Sequence, residues 1–167
     1  SVYANNRDLV DDEANRYFFV REPTEVALTG DGPDAATPQR HPDHEDRGTR
    51  EIPVGDAVVV EPEDLPDPEE RVWLKGLGCV RYTRDAFQFT GDDIDAVREE
   101  GVDVIHWAPA DESVPVRMRT PEGDVEGAAE PEFAETDGDE VVQFERIGFA
   151  RVDRHDDEES VAYYAHP

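Results

Sequence analysis

The sequence predicts an all-β fold, either a barrel or a sandwich, with one short helix. Two observations support this prediction. Short stretches that are dense in β-branched and aromatic residues recur along the chain, and glycine, proline and aspartate separate them. Only one segment, over residues 92–100, has the pattern of a helix. Many short strands at this spacing are typical of barrels and sandwiches.

The first part of the chain alternates between linker-like and strand-like segments. Residues 1–12 are polar and lack strong periodicity, so we expect a linker there. Residues 16–28 are strand-like, and Pro23 restricts that strand to an edge or a bulge because it lacks a backbone donor. Residues 30–50 are rich in glycine, proline, aspartate and histidine, which predicts a long loop.

The middle of the chain continues with strands around an acidic joint. Residues 51–60 predict two short strands, and residues 71–90 predict a strand pair. Between them, residues 61–70 hold prolines among acidic side chains, which marks a boundary. For the helix at 92–100, Thr90 or Asp92 is the expected N-cap, and a glycine follows as the stop signal.

The last part of the chain is again strand-rich. The segment 130–140 is a second acidic joint, comparable to the first. The turn at residues 121–123 predicts a hairpin. No internal repeat is evident in the sequence. The remaining predicted strands cover residues 102–107, 114–120, 124–128, 141–153 and 160–165.

The composition of the chain is strongly acidic and poor in lysine. The formal charge is −27, from 43 acidic and 16 basic residues, and Lys75 is the only lysine. At molar salt the Debye length falls to about 3 Å, so the repulsion between carboxylates is largely screened. The acidic side chains then hold water and keep the protein in solution. We therefore expect a folded protein from a salt-loving archaeon, and the alternative is an ordinary acidic protein.

The sole cysteine, Cys79, excludes an intrachain disulfide and favours a reducing interior. It lies in an apolar run, so we expect it in the core. No apolar stretch approaches the roughly 18 residues that a membrane span requires, and no signal peptide is evident. We therefore expect a cytoplasmic chain. Because it begins without methionine inside a polar sequence, we expect a fragment of a longer protein.

Four segments in order carry a family resemblance. The most informative is Gln143-Phe144-Glu145-Arg146 within the strand–turn–strand segment 141–153. The others are residues 15–20, the His-Pro-Asp and Arg-Gly-Thr-Arg stretch at 41–50, and residues 104–107. Together they resemble the anticodon-binding region of the archaeal and eukaryotic type of glutamyl-tRNA synthetase and of the related glutaminyl enzymes.

This resemblance implies two β-barrels, with a distal barrel inserted into a proximal one. On this basis residues 1–15 link to a missing catalytic part. The proximal barrel takes residues 16–62 and 139–167, and the distal barrel takes residues 63–138. The two acidic joints fall where the chain would cross between the barrels.

The resemblance also implies the residues that contact the anticodon. Family motifs place contacts on Gln143 and Arg146, on a basic residue in the first distal strand, which matches Lys75, and on Arg16. Guanidinium and amide groups suit this role because they pair with the edges of unstacked bases. The alternative is structural: Arg146 and Arg16 pair with neighbouring carboxylates, which are abundant in this sequence.

The partner expected from the family is tRNA, specific for glutamate, with glutamine tRNA left open, and neither DNA nor a membrane. The loop at residues 63–70 contains no basic residue, whereas glutaminyl enzymes carry a basic cluster there, which favours the glutamyl enzyme. The rival hypothesis is an acidic β-barrel module, related in fold to a ribosomal RNA-binding protein, that binds protein or RNA without any synthetase.

The chain shows no catalytic motif. A Gly-rich phosphate loop, paired cysteines and the two nucleotide-binding signatures of class I synthetases are all missing. We therefore expect no catalysis and no cofactor here, with ATP and magnesium bound by a missing catalytic domain. His41 and His44 stand among acidic residues, but their spacing is not specific for a metal, and none is predicted. His106 is expected in the core or at an interface.

Overall fold

The computed structural model describes residues 9–167, so the first eight residues of the predicted linker lie outside it. The described chain is mostly β-strand, as predicted, and the strands form two barrel-like seven-stranded sheets and one two-stranded sheet. The strands are β1 Asn15–Tyr17, β2 Phe19–Arg21, β3 Thr24–Thr29, β4 Ala35–Ala36, β5 Ile52–Pro53, β6 Ala57–Val60, β7 Arg71–Leu74, β8 Gly78–Tyr82, β9 Ala86–Phe89, β10 Val104–Ile105, β11 Ala108–Pro109, β12 Val114–Thr120, β13 Gly123–Ala129, β14 Val141–Phe144, β15 Gly148–His155 and β16 Ser160–His166.

Helical structure is limited to short segments. The α-helix α1 spans Ile94–Glu99, and residues 9–13 form a further helical segment in what was predicted as linker. The N-cap of α1 was expected at Thr90 or Asp92, which was wrong. Asp93 caps the helix, and its side chain accepts a 2.9 Å hydrogen bond from the backbone N–H of Ala96. Asp92 is unavailable because Thr90 and Arg71 bind its carboxylate. Three 3₁₀ turns span Glu45–Arg47, Pro62–Asp64 and Pro131–Glu135.

The two large sheets have the same strand order. One, here called the split sheet, has the order β1-β14-β15-β16-β12-β13-β2, and the other, the inserted sheet, has the order β10-β7-β8-β9-β3-β6-β11. At each matching step the pairing also has the same direction, parallel for the first and fourth pairs and antiparallel for the others. The strands of the inserted sheet come from residues between 24 and 109.

The matching order reveals an internal repeat that the sequence did not show. The first repeat covers residues 15–89 and the second covers residues 104–166. Each repeat contributes its first two strands to the sheet formed by the other, so β1 and β2 join the split sheet while β10 and β11 join the inserted sheet. The repeat escaped detection because a strand requires only a pattern of burial, which many different residues satisfy.

The sheets divide the chain at other positions than the predicted boundaries. Strands β3 and β6 fall in the span predicted for the proximal barrel, yet they pair within the inserted sheet. Strands β12 and β13 fall in the span 63–138 predicted for the distal barrel, yet they pair within the split sheet. The acidic joints therefore lie inside each repeat, where the chain leaves one hydrogen-bonded strand and enters the next.

Each repeat contains a hairpin with the same turn. The N–H of Leu77 donates to the carbonyl of Leu74 at 2.9 Å, and the N–H of Ile147 donates to that of Phe144 at 3.0 Å. The turns require a left-handed residue, and it is Gly76 (φ +77°) in one and Arg146 (φ +69°) in the other. A non-glycine residue in this conformation costs roughly 1 kcal/mol, and its surroundings must hold it there.

Each sheet surrounds its own apolar core. Phe18 and Trp107 belong to the core of the inserted sheet, and Phe19 and Phe144 to the core of the split sheet. A smaller cluster joins the sheets, and its members are Val20, Val59, Ala108 and Ala128. Cys79 is buried, as predicted. Among the helices of residues 9–167, none is long and apolar enough to cross a membrane.

Candidate functional site

The structure places the four predicted contact residues in two pairs close to the junction of the sheets. Arg16 on β1 lies directly opposite Gln143 on β14. Lys75 and Arg146 lie in the equivalent turns of the two hairpins. Strand β14 alternates between buried Val142 and Phe144 and half-buried Gln143, so Gln143 and its neighbour Arg16 face away from the core.

Gln143 has an amide that is available for a ligand. Its side chain is half-buried, and within residues 9–167 it makes no hydrogen bond. The packing of Val142 and Phe144 on either side fixes the backbone of β14 at this position. An unpaired amide offers both a donor and an acceptor to a polar ligand.

Arg16 is engaged in local structure. Its residue is 7% exposed, and its guanidinium donates to the carbonyls of Asp11 and Ala14 at 3.0 and 2.9 Å. It also forms a 2.8 Å ion pair with the carboxylate of Asp11. The structure thus shows for Arg16 the carboxylate pairing that the structural alternative expects, and a ligand reaches it only if Asp11 moves away.

Arg146 is exposed but held by two partners. Its guanidinium forms a bidentate ion pair with Asp64, with distances of 2.7 and 3.0 Å. It also donates to Nδ1 of His106 at 2.9 Å. The hydrogen bond to Asp64 raises the pKa of Arg146. Because Asp64 and His106 belong to the first and second repeats, Arg146 links the split sheet to both parts of the inserted sheet.

His106 continues this network towards the interior. It is 1% exposed, and since its Nδ1 accepts from Arg146, its Nε2 carries the proton and donates to Glu61 at 3.0 Å. Glu61 also binds the guanidinium of Arg21 at 3.0 and 2.9 Å. Burial alone would raise the pKa of Glu61, but the hydrogen bonds from His106 and Arg21 outweigh it and lower the pKa to about 2.

Glu61, Asp64 and His106 also bring three potential metal-ligand atoms within 4.8 Å of one another. The guanidinium of Arg146 already supplies positive charge at this place, donating to both Asp64 and His106. A cation would have to displace it and break three hydrogen bonds. The arrangement therefore serves to position Arg146 better than it serves to bind a metal.

Lys75 begins a second network. Its ammonium group lies 2.8 Å from the carboxylate of Glu145, and its side chain is half exposed. The other oxygen of Glu145 lies 3.3 Å from the guanidinium of Arg50, which is buried and in turn donates to Glu130 at 2.8 and 3.0 Å. Arg50 also lies over the ring of Phe18, 4.8 Å from its centre.

Glu130 is the most deeply buried acid of this network. It is 0% exposed and accepts a 2.8 Å hydrogen bond from the backbone N–H of Phe18. Burial raises the pKa of Glu130 to about 7, against the opposing effect of Arg50. Sequence reasoning missed Glu130, Arg50 and Glu61. The available signal was that both glutamates precede a proline in an acidic joint, at equivalent positions of the two repeats.

Three different polar groups are thus presented to solvent where the two sheets meet. The ammonium of Lys75, the guanidinium of Arg146 and the amide of Gln143 lie on or beside the two hairpin turns. The half-buried carboxylates of Glu145 and Asp64 bind the ammonium of Lys75 and the guanidinium of Arg146. Such a set of donors suits the edges of unpaired nucleobases, which are recognised by hydrogen bonding and stacking.

Comparison with known proteins is consistent with this chemistry. Two family models of the anticodon-binding domain of class I tRNA synthetases, for E and Q, match residues 14–98 and residues 104–153. These two spans begin where the two repeats begin. The model that matches residues 14–98 covers about half of the chain by itself.

Relatives with similar sequences carry the name glutamate–tRNA ligase. The protein of Natronomonas pharaonis is 65% identical over the whole chain, and that of Haloarcula marismortui is 61% identical. The protein of Methanosarcina acetivorans is 40% identical over 99% of the chain. The chain spans 29%, 30% and 30% of the length of these three relatives, respectively.

Proposed function

Because this chain belongs to the anticodon-binding domains of the class I tRNA synthetases for glutamate and glutamine, we propose that it holds the anticodon of glutamate tRNA. The names of its relatives support glutamate as the amino acid. The acidic loop at residues 63–70 supports the same choice, because it contains no basic residue. A basic residue there would be available to contact the third letter of the anticodon, where the anticodons of glutamate and glutamine tRNA differ.

One observation carries the proposal: the side chain of Gln143 is half-buried, and its amide is unpaired beside the exposed cations of Lys75 and Arg146. A base placed against Gln143 gains a hydrogen bond without first breaking one in the protein. Lys75 and Arg146 each exchange a carboxylate partner for RNA. Arg16 must be released by Asp11 before it takes part, so we expect its replacement to have the smallest effect on binding.

We further propose that binding positions the acceptor end of the tRNA at a catalytic part of the same enzyme, in the cytoplasm. ATP and magnesium would bind to that part, and glutamate would be joined to the tRNA there. The role of this chain is recognition and orientation, which holds the reacting ends close together.

The test uses the full chain and an RNA stem-loop with the anticodon of glutamate tRNA, in molar potassium chloride. Replacing Gln143 by alanine should weaken binding about tenfold, because hydrogen-bonding and stacking losses of 1–3 kcal/mol correspond to about 5- to 150-fold. Arg146→Ala should weaken it to a similar degree. Gln88→Ala is the matched control, since Gln88 is an exposed glutamine on β9 of the inserted sheet.

Equal binding by Gln143→Ala, Arg146→Ala and the unaltered chain would remove these two contacts from the proposal. If the unaltered chain does not bind the stem-loop in molar potassium chloride, the proposed function fails and the interaction module without a synthetase takes its place. Replacing the anticodon bases in the RNA while keeping the stem distinguishes recognition of the anticodon from general attraction to RNA.

A further inference from the structure

The outer face of the split sheet carries three side chains in one row across the strands β15, β16 and β12. Arg151 is the register partner of Tyr163, and Tyr163 is the register partner of Arg119. The guanidinium carbons of Arg151 and Arg119 lie 5.6 and 5.9 Å from the centre of the tyrosine ring. These three residues are called the arginine–tyrosine row below.

The row is exposed and carries positive charge. Tyr163 is 36% exposed, which makes it one of three large hydrophobic side chains exposed within residues 9–167. Arg119 makes no ion pair with any residue of that part of the chain. Arg151 has one carboxylate partner, Asp139 at 2.9 Å, and both of these side chains are half exposed or more. Such a pair contributes little and is readily exchanged for another anion.

A stacked aromatic ring between two arginines is notable in a chain of net charge −27. Most arginines of the described chain are bound by carboxylates, as Arg117 is by three of them. Arg119 lies two residues after Arg117 on β12, and it differs because it has no carboxylate partner in the described chain. The charge and the ring together complement a ligand that is anionic and aromatic, which is the chemistry of a nucleic-acid strand.

The row also continues the surface around Gln143. Gln143 is the register partner of Phe149, and Phe149 and Arg151 are two residues apart on β15, so they share one face. From strand spacing and rise per residue, Tyr163 lies on the order of 12 Å from Gln143 across the sheet. The row is therefore beside the region around Gln143 and not part of it.

We propose that the arginine–tyrosine row binds an unpaired nucleotide of the tRNA next to the bases that Gln143 contacts. The tyrosine ring and the guanidinium planes stack with the base, and the guanidinium groups pair with the flanking phosphates. This inference rests on the proposed function, because it assigns a second contact to the same RNA. It adds Arg119, Tyr163 and Arg151 to the residues proposed to bind the anticodon loop of the tRNA.

The experiment measures binding of the full chain to the stem-loop with the glutamate anticodon, in molar potassium chloride. Tyr163→Ala should weaken binding about tenfold, which is the loss expected for one stacked base. Tyr163→Phe keeps the ring and should bind as the unaltered chain does. Arg119→Ala should weaken binding by about fivefold or more. Arg98→Ala is the matched control, because Arg98 is another exposed arginine without an ion pair in the described chain.

Thermal unfolding of each variant shows whether the fold is kept, as expected for exposed side chains. The inference is overturned if Tyr163→Ala binds as tightly as the unaltered chain while Gln143→Ala is weakened, and the proposed function then stands. It is also overturned if Arg98→Ala weakens binding as much as Arg119→Ala, since general charge then explains the effect. Absence of binding by the unaltered chain overturns the inference together with the proposed function.

Discussion

The ammonium group of Lys75 lies 2.8 Å from the carboxylate of Glu145, and these two residues occupy the same position in the two repeats. The backbone N–H of Lys75 donates to Ile105 and that of Glu145 donates to Tyr17, each at 3.0 Å. The hairpin turns are thus anchored in the same way by a strand from the other repeat. Their equivalent side chains then bind each other where the two sheets meet.

Glu145 should stabilise the fold as well as position Lys75. In Glu145→Gln, the buried guanidinium of Arg50 loses one charged acceptor, and the exposed Lys75 loses its partner. We expect the free energy of unfolding to fall by about 1–3 kcal/mol, because a hydrogen bond to a charged group contributes about that much. Chemical denaturation of both proteins measures the difference.

The matched control is Asp139→Asn, which removes the exposed partner of Arg151. It should change the free energy of unfolding by less than about 0.5 kcal/mol. If Glu145→Gln has an effect as small as this control, the network from Lys75 to Arg50 does not stabilise the junction.

Glu130 should make stability depend on pH near neutrality. Its pKa in the folded protein is about 7, because burial disfavours the charged form, and its ordinary value is 4.5. The folded state therefore binds this proton more tightly than the unfolded state. The resulting stabilisation is complete below about pH 4.5 and is lost as the pH rises through about 7.

Glu130→Gln removes this titration. Between about pH 5 and about pH 8, the unaltered chain should lose up to about 3 kcal/mol more unfolding free energy than the variant. Chemical denaturation at several pH values in constant salt checks this. Parallel pH profiles for the two proteins would show that Glu130 stays ionised beside Arg50 throughout.

Gly127 should be essential for the exchange of strands between repeats. It lies on β13 opposite Arg21 of β2, and an added Cβ would be 2.1 Å from the carbonyl oxygen of Val20 and 2.6 Å from the ring of Phe19. Gly127→Ala must push these strands apart. We expect a loss of about 3 kcal/mol in the free energy of unfolding.

Gly55→Ala is the control for Gly127→Ala. An added Cβ there has a nearest neighbour at 3.7 Å, in Asp111, so it fits without displacement. The change in unfolding free energy should stay within about 0.5 kcal/mol. If the two alanine variants are equally stable, then β2 and β13 are not in contact as described.

Binding of tRNA should depend weakly on salt. Molar salt suppresses the release of counterions that normally drives association, and the chain has a net charge of −27. Recognition must then come mainly from stacking and hydrogen bonding. We expect the logarithm of the association constant to fall with the logarithm of potassium chloride concentration with a slope of magnitude below about 3. A slope of about 6 would indicate many phosphate contacts and contradict this.

The sequence predicted local structure well where burial alternates along a strand, or where a turn or helix end contains a residue type that is typical of it. The strand–turn–strand at 141–153 and the helix followed by Gly101 are examples, since Gly101 adopts φ +73°. The cap at Asp93 was missed because Thr90, Asp92 and Asp93 are all residue types that suit a helix N-cap. In the structure, Arg71 on the distant strand β7 binds Asp92, and this leaves Asp93 as the cap.

The candidate site was predicted in its residues but not in its setting. Motif resemblance suggested Gln143, Arg146, Lys75 and Arg16, whose contacts with tRNA stay predictions. The acids that bind Arg146 and Lys75, which are Asp64 and Glu145, are far away along the chain, whereas Asp11 is close to Arg16 in sequence. With 43 acidic residues in the sequence, no pattern singles out the few that meet a given arginine.

By itself, the sequence determined the all-β class and the family, and it predicted adaptation to salt, because composition and short-range patterns suffice for these. Only the tertiary structure decided that two repeats exchange their first strands and that their turns meet through Lys75 and Glu145. The physical reason is that strand pairing uses backbone hydrogen bonds, which are the same for every residue. Partner choice therefore follows from how side chains pack across the whole molecule.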